Sequence, residues 1–307
     1  KEELERERKV VLEEISMSDD DNADVCMETA SALYFGDNAL ARPILGTRDT
    51  VRSLTREDLL EYVDANYCAE TTVIAIIGNM SADKARKIVE KYFEGRFRSS
   101  KGRKWHDVAH VTSGSSKTIF KPIEQANIGM VFPGVSLTDK NYLAINAGGY
   151  VFGGGMSSRL FAEVREKHGL AYSVYSYDSC YYANGFGAVY VGTNTKSALQ
   201  AVEIVADIID DVKKNGFSEE EYRRGIQQAK AGYILGQDSN GALMRFYSKW
   251  LLMTDKLVDF NELISKLDKI SFDEFNDVYK NYFDRTKVSL AYVGREIKDD
   301  LYGAIKL

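Results

Sequence analysis

Four polar side chains are spaced so that they can act in pairs. Glu7 and Glu14 stand seven residues apart in "ERKVVLEE". Seven residues is two helical turns, so a helix puts both carboxylates on one face. Such a face can hold a cation, but glutamate-rich helices are more often simply solvated, and the residues alone favour that plainer reading. Arg165 and Tyr172 are also seven apart, inside "GGGMSSRLFAEVREKHGLAYSVY" (Gly153 to Tyr175). An arginine fork can hold a carbonyl, and a tyrosine hydroxyl can donate to an oxyanion. The bland alternatives are a surface ion pair for Arg165 and an ordinary strand aromatic for Tyr172.

Other candidates are weaker. His106 and His110 in "WHDVAH" have the spacing of two ligands on a zinc helix, but no Glu follows His106. His168 is the third and last histidine; beside Gly169 at a helix end, it is expected to meet terminal carbonyls. The run Gly153-Gly154-Gly155-Met156 fits neither a P-loop nor a dinucleotide fingerprint, so nucleotide binding is not expected. Cys26, Cys68 and Cys180 are odd in number and share no metal spacing. They suit a reducing compartment, and a cytoplasmic location is expected.

The elements around these residues can be read from pattern. Residues 4–17 form a helix with Val10, Val11, Leu12 and Ile15 on its apolar face. A helix over Ala23–Tyr34 follows the acidic turn "SDDDN". Thr55 and Asp58 make a capping box for a helix to about Asn66. "TTVIAIIG" predicts a buried strand, and Ser81 caps a further helix. "KTIFKPIEQANIGMVFPG" predicts two strands around a turn, followed by a helix in "DKNYLAINAGGYVFG". In the glycine-led stretch, Ser157 or Ser158 caps a helix over 157–168, Leu160, Phe161 and Val164 bury, and Gly169 ends it. "AYSVYSY" and "GFGAVYVGT" are antiparallel strands. "KSALQAVEIVADIIDDVKKNG" is an amphipathic helix ending at Gly216, and Ser218 and Glu221 cap the next. Strand runs followed by helix runs indicate an α+β fold.

One order of elements occurs twice. "LTREDLLEYVDANYCAETTVIAIIGN" (Leu54 to Asn79) resembles "ISFDEFNDVYKNYFDRTKVSLAYVGR" (Ile270 to Arg295) in capped helix, Asn-Tyr, strand and glycine. The expectation is two homologous sheet-plus-helices domains, the first truncated at its N-terminus: residues 1–98, a linker over 99–112, and residues 113–307. The counterpart of residues 113–220 would then lie upstream of Lys1.

Composition excludes several classes. Hydrophobic residues make up 44% and charged residues 28% of 307, an ordinary globular balance. A net charge of -6 has the wrong sign for general nucleic-acid or anionic-membrane binding. No apolar run approaches the ~20 residues of a membrane span.

The Gly153–Tyr175 stretch resembles the C-terminal-domain signature of the insulinase-like (pitrilysin) zinc peptidases, especially bacterial members related to mitochondrial processing peptidase. "ERERKVVLEEISMSDDD" and "GDNALARPILGTRDTVRSLTREDLLEYVDANY" resemble the N-terminal domain of the same family. The resemblance implies two α+β domains closing over a peptide, and a zinc-dependent endopeptidase acting on peptides or extended segments. Its metal motif, His-x-x-Glu-His, does not occur in this sequence, so the histidine ligands of a Zn2+ ion would lie upstream. The family's glutamate pair falls on Glu7 and Glu14, which implies Glu14 as a direct ligand and Glu7 as a residue orienting it. The family's C-domain pair falls on Arg165 and Tyr172, which implies that both reach toward substrate at the metal. The given chain would then be incomplete and inactive. The expected partners are a peptide substrate and a related subunit in a homo- or hetero-dimer, with no nucleic acid and no membrane. The alternatives are a non-catalytic partner subunit and a structural core-like protein of the same fold.

Overall fold

The computed structural model describes residues 2–97 and 114–306. The proposed linker and the pair His106/His110 lie outside the described residues. Five helices come first: α1 (Glu2–Asp20), α2 (Asn22–Phe35), α3 (Arg48–Ser53), α4 (Arg56–Asn66) and α5 (Ala82–Phe93). Strands β1 (Ser116–Phe120) and β2 (Gln125–Pro133) follow, then α6 (Tyr142–Phe152) and a π-wound helix over Phe161–Lys167. Next come β3 (Ala171–Cys180), β4 (Gly185–Asn194), and helices α7 (Ala198–Asn215), α8 (Glu219–Gly236), α9 (Asn240–Thr254), α10 (Phe260–Leu267) and α11 (Phe272–Lys280). Strand β5 (Ser289–Gly294) and α12 (Leu301–Lys306) close the order. The fold is α+β, with one sheet and many helices.

Local chemistry sets several boundaries. Thr55 and Asp58 exchange capping bonds at the start of α4, and Ser218 and Glu221 do so at α8. Each box satisfies two N–H groups that a helix start leaves without partners. Gly216 ends α7 at φ 74, a left-handed conformation that glycine adopts without steric cost.

The sheet runs β1-β5-β2-β4-β3. β1 and β2 flank a short turn, as the sequence predicts, yet they do not pair: β5 lies between them, parallel to β1 and antiparallel to β2. Both β2 and β4 are buried on two faces, which accounts for their near-continuous apolar runs. One face, carrying Ile128, Met130, Phe132, Val189 and Val191, packs in the main core beneath the C-terminal helices. The opposite face is covered by α2, whose Cys26, Met27, Ala30, Tyr34 and Phe35 meet Val131, Phe186, Tyr190 and Val293. Gly129 permits that approach: a Cβ there would lie 2.8 Å from the Met27 sulfur.

The segment "TTVIAIIG" departs from expectation. Residues 73–77 form no strand, and Ile74 and Ile76 are each 40% exposed. No described strand runs beside them, so their backbone finds no ladder. Instead they line an open apolar groove of about 530 Å³ with Tyr247, Leu251 and Val258. Neither α4 nor α5 has a buried residue. The repeated order is therefore present as helix in both copies, and as strand only in β5.

Candidate functional site

The helix that carries Glu7 and Glu14 is held by two arginines. Arg8 donates to the carbonyls of Val51, Arg52 (3.2 Å) and Leu54 (2.7 Å) at the end of α3. Arg48 donates to Ser16 Oγ at 3.1 Å and to Asp19 Oδ2 at 2.8 Å. Ile15 is the buried residue of α1 and Val51 that of α3. The expected apolar face is only partly covered, since Val10 stays 46% exposed. With α1 fixed this way, Glu7 and Glu14 are both exposed. Glu14 can offer one oxygen donor to a metal. The described residues contain no cluster of three or more His, Cys, Asp or Glu side chains fit to hold one.

The second pair is built by a different device. The glycine-led turn runs longer than expected, and the helix starts at Arg159 instead of residue 157. Ser158 receives the Phe161 N–H at 3.4 Å, while Leu160 and Val164 enter the core. Arg159 anchors the helix start: Nε donates to Glu221 Oε1 at 2.6 Å and Nη2 to Glu221 Oε2 at 2.8 Å. Nη1 donates to Asp211 at 2.7 Å and Nη2 also to the Gly216 carbonyl at 3.0 Å. The helix then widens into π geometry, with the His168 N–H on the Glu163 carbonyl at 3.2 Å. Such winding is rare and recurs at functional sites. Gly169, at φ +62, turns the chain into β3. The His168 ring faces the Glu163 carboxylate at 4.0 Å, where terminal carbonyls had been expected as its partners.

Strand β3 opens on a bulge. Ala171 faces Thr193 and Ser173 faces Gly192, so Tyr172 is the extra residue between them. A bulge leaves its extra residue outside the ladder and re-aims it; Tyr172 is 81% exposed as a result. Arg165 reaches it from the helix. Its Nη1 donates to the Tyr172 carbonyl at 2.6 Å, and its Cζ sits 5.1 Å over the Tyr172 ring and 4.9 Å over the Phe161 ring. An open groove of about 520 Å³ begins at this pair, bordered by Gln125, Leu170, Gly192, Thr193 and Asn194.

The structure thus brings Arg165 and Tyr172 into contact and leaves Glu7 and Glu14 together on α1. Among the described residues, no hydrogen bond or ion pair joins the two pairs. Sequence reasoning assigned Phe161 to the core and missed its place under Arg165; the i, i+4 spacing of an aromatic and an arginine was the available signal. It also missed Asp178, whose carboxyl accepts the Tyr282 hydroxyl. Burial pushes that carboxyl up to about 6, the Tyr282 bond pulling against it.

Comparison with known proteins places this arrangement. Residues 53–229 match the family model described as the peptidase M16 inactive domain. An uncharacterized zinc protease of Streptomyces coelicolor is 33% identical over 299 residues, covering 95% of this chain and 65% of the relative. An uncharacterized zinc protease of Bacillus subtilis is 32% identical over 281 residues, covering 92% of this chain and 68% of the relative. The chain thus spans about two thirds of the length of these relatives. Among solved structures, a peptidase M16 inactive domain from Pseudomonas fluorescens superposes with a TM-score of 0.88 at 20% identity, covering 97% of this chain and 71% of that one. A chain of complex III2 from Candida albicans superposes at 0.86 with 18% identity, covering 98% and 73%. At these identities the structures speak for the fold, and the sequence matches for descent: the chain belongs to the peptidase M16 family, the insulinase-like group its motifs resemble.

Proposed function

We propose that this chain is the larger part of a zinc-dependent endopeptidase that cuts peptides or extended polypeptide segments. The observation that carries the reading is the Arg165–Tyr172 lip, a bulged tyrosine projected into solvent with an arginine fixed against it. In this reading Arg165 holds a substrate carbonyl through its free N–H groups. The Tyr172 hydroxyl donates to the oxyanion as the carbonyl carbon becomes tetrahedral. Glu14 serves as one metal ligand and Glu7 orients it. The remaining ligands come from the counterpart half-domain that the repeat implies. The same half-domain would supply strands for residues 73–77 and a core for the bare faces of α4 and α5. Residues 1–98 and 113–307 are then the two homologous units. Cys26, Cys68 and Cys180 form no disulfide with one another, which suits a cytoplasmic setting.

Family descent with zinc proteases supports the cofactor. The match to a model described as an inactive domain, and the likeness to a chain of complex III2, favour a second reading: a non-catalytic subunit that lends its lip to a related partner. The full-length protein separates the two. Purified alone, it should cleave a quenched-fluorescent decapeptide library, lose that activity to a chelator, and lose both zinc and activity in Glu14→Gln. Zinc-free protein that cleaves only when mixed with a related subunit would establish the second reading. The 307-residue chain by itself should bind zinc weakly and cut nothing, since catalytic zinc normally has three protein ligands.

A further inference from the structure

We propose that Phe161 is a positioning residue, an aromatic shelf that holds the Arg165 guanidinium flat and aims its edge into the groove; the inference rests on the peptidase reading of the lip. On the helix that carries Phe161, Leu160 and Val164 belong to the main core, whereas Phe161 is only half-buried and lies outside it. A large aromatic that does not fill the core needs another reason to be there. Its ring lies 4.9 Å beneath Arg165 Cζ. The Tyr172 ring lies 5.1 Å from the same Cζ. A guanidinium within cation–π reach of two rings is attracted by both, which narrows the positions it can take. The 2.6 Å bond from Nη1 to the Tyr172 carbonyl restricts it further.

Charge points the same way. The neighbouring acids are engaged elsewhere: Glu163 pairs with Lys167, and Glu124, at the groove, pairs with Arg295. Among the described residues Arg165 has no carboxylate partner. Of the five N–H groups of an arginine fork, one is bonded to Tyr172, and the others are left to a ligand. Without the shelf, the side chain would swing through many rotamers, and each productive contact would first have to overcome that freedom.

The test is a double-mutant cycle in the full-length protein, assayed on the decapeptide library. Phe161→Leu should lower kcat/KM by about 3- to 30-fold, the range of one partly desolvated cation–π contact. Phe161→Tyr, which keeps the ring, should stay within about 2-fold. In an Arg165→Ala background, Phe161→Leu should add less than about 2-fold, because the group it positions is gone. Equal losses in both backgrounds, or unchanged turnover in Phe161→Leu, would overturn the proposal. If the unmutated protein cuts nothing, the peptidase reading fails, and the crystal structure of full-length Phe161→Leu decides this inference separately. A displaced Arg165 guanidinium supports it; one still seated on Tyr172 refutes it.

Discussion

Arg159 and Glu221 meet as a two-point fork, with both carboxylate oxygens engaged at 2.6 and 2.8 Å. Glu221 also accepts from the Ser218 N–H and hydroxyl, at 2.7 and 2.8 Å. One carboxylate thus caps α8 and ties down the helix that leads to Arg165. Burial alone would push the Glu221 carboxyl up; the bonds from Arg159 and Ser218 overcome this and hold it at about 2.

A carboxyl with a depressed folded pKa stabilises the fold above its unfolded value and loses that contribution on acidification. The window for Glu221 therefore runs from about 4.5 down to about 2. Over it, chemical denaturation of the full-length protein should show a loss on the order of 3 kcal/mol attributable to this group. Glu221→Gln should be less stable at pH 7 and show a flatter acid limb. An acid limb unchanged by the substitution would remove the claim.

Asp178 behaves in the opposite sense. Burial raises its carboxyl to about 6 from an ordinary 3.8, so the folded state binds its proton more tightly than the unfolded state. That contribution is complete below about 4 and disappears as pH rises through about 6. Asp178→Asn retains an acceptor for Tyr282 and cannot ionise. Relative to the unmutated protein it should gain stability between pH 4.5 and pH 8, on the order of 1–3 kcal/mol. Paired melts at the two pH values measure it, and an equal offset at both would count against a buried, titrating Asp178.

Removing the Tyr172 hydroxyl leaves its ring and the bulge in place. In the full-length protein, Tyr172→Phe should lower kcat by roughly 10²–10³ with a smaller change in KM. Arg165→Lys keeps charge but loses the fork, and should also weaken turnover. Zinc content measured on both variants should match the unmutated protein, since neither side chain is a ligand. Turnover at the unmutated rate in Tyr172→Phe would reduce the stretch to a glycine turn and a helix.

Arg8 supports Glu7 and Glu14 at a distance. Arg8→Ala would strip a charged donor from three carbonyls at the end of α3. Bonds to a charged group contribute about 1.5–3 kcal/mol each at most, and water entering after the truncation replaces part of that. A lower melting temperature together with weaker zinc retention is expected. Zinc retention unaltered despite the lower melting temperature would show that α1 keeps its orientation without Arg8.

Much of this was legible in the residue pattern. Thr55/Asp58 and Ser218/Glu221 announced their helices because a capping box is a local arrangement that needs no distant partner. Arg165 and Tyr172 stood out because helix, turn and strand accounted for their neighbours and not for them. The paired departures have physical causes. Residues 73–77 have strand chemistry, but a strand exists only with a neighbour to bond. The turn between β1 and β2 is written in "KPIE", but the strand that lies between them is β5, more than a hundred and fifty residues later, and no local pattern names it. The Tyr172 bulge depends on how β3 registers with β4, and no short stretch encodes a register.

Helix α2 precedes every strand of the sheet and closes its far face, resting on β2 and β5. At about 5–20 residues per second, a ribosome needs roughly ten seconds or more to travel from α2 to the end of β5. For that interval the β5 part of the platform under Met27, Tyr34 and Phe35, with Ala291 and Val293, is not yet made. Synthesis and burial are thus separated: α2 is sealed only when β5, made long after it, arrives. Until β5 arrives, the nascent chain carries a helix whose apolar face is only partly covered.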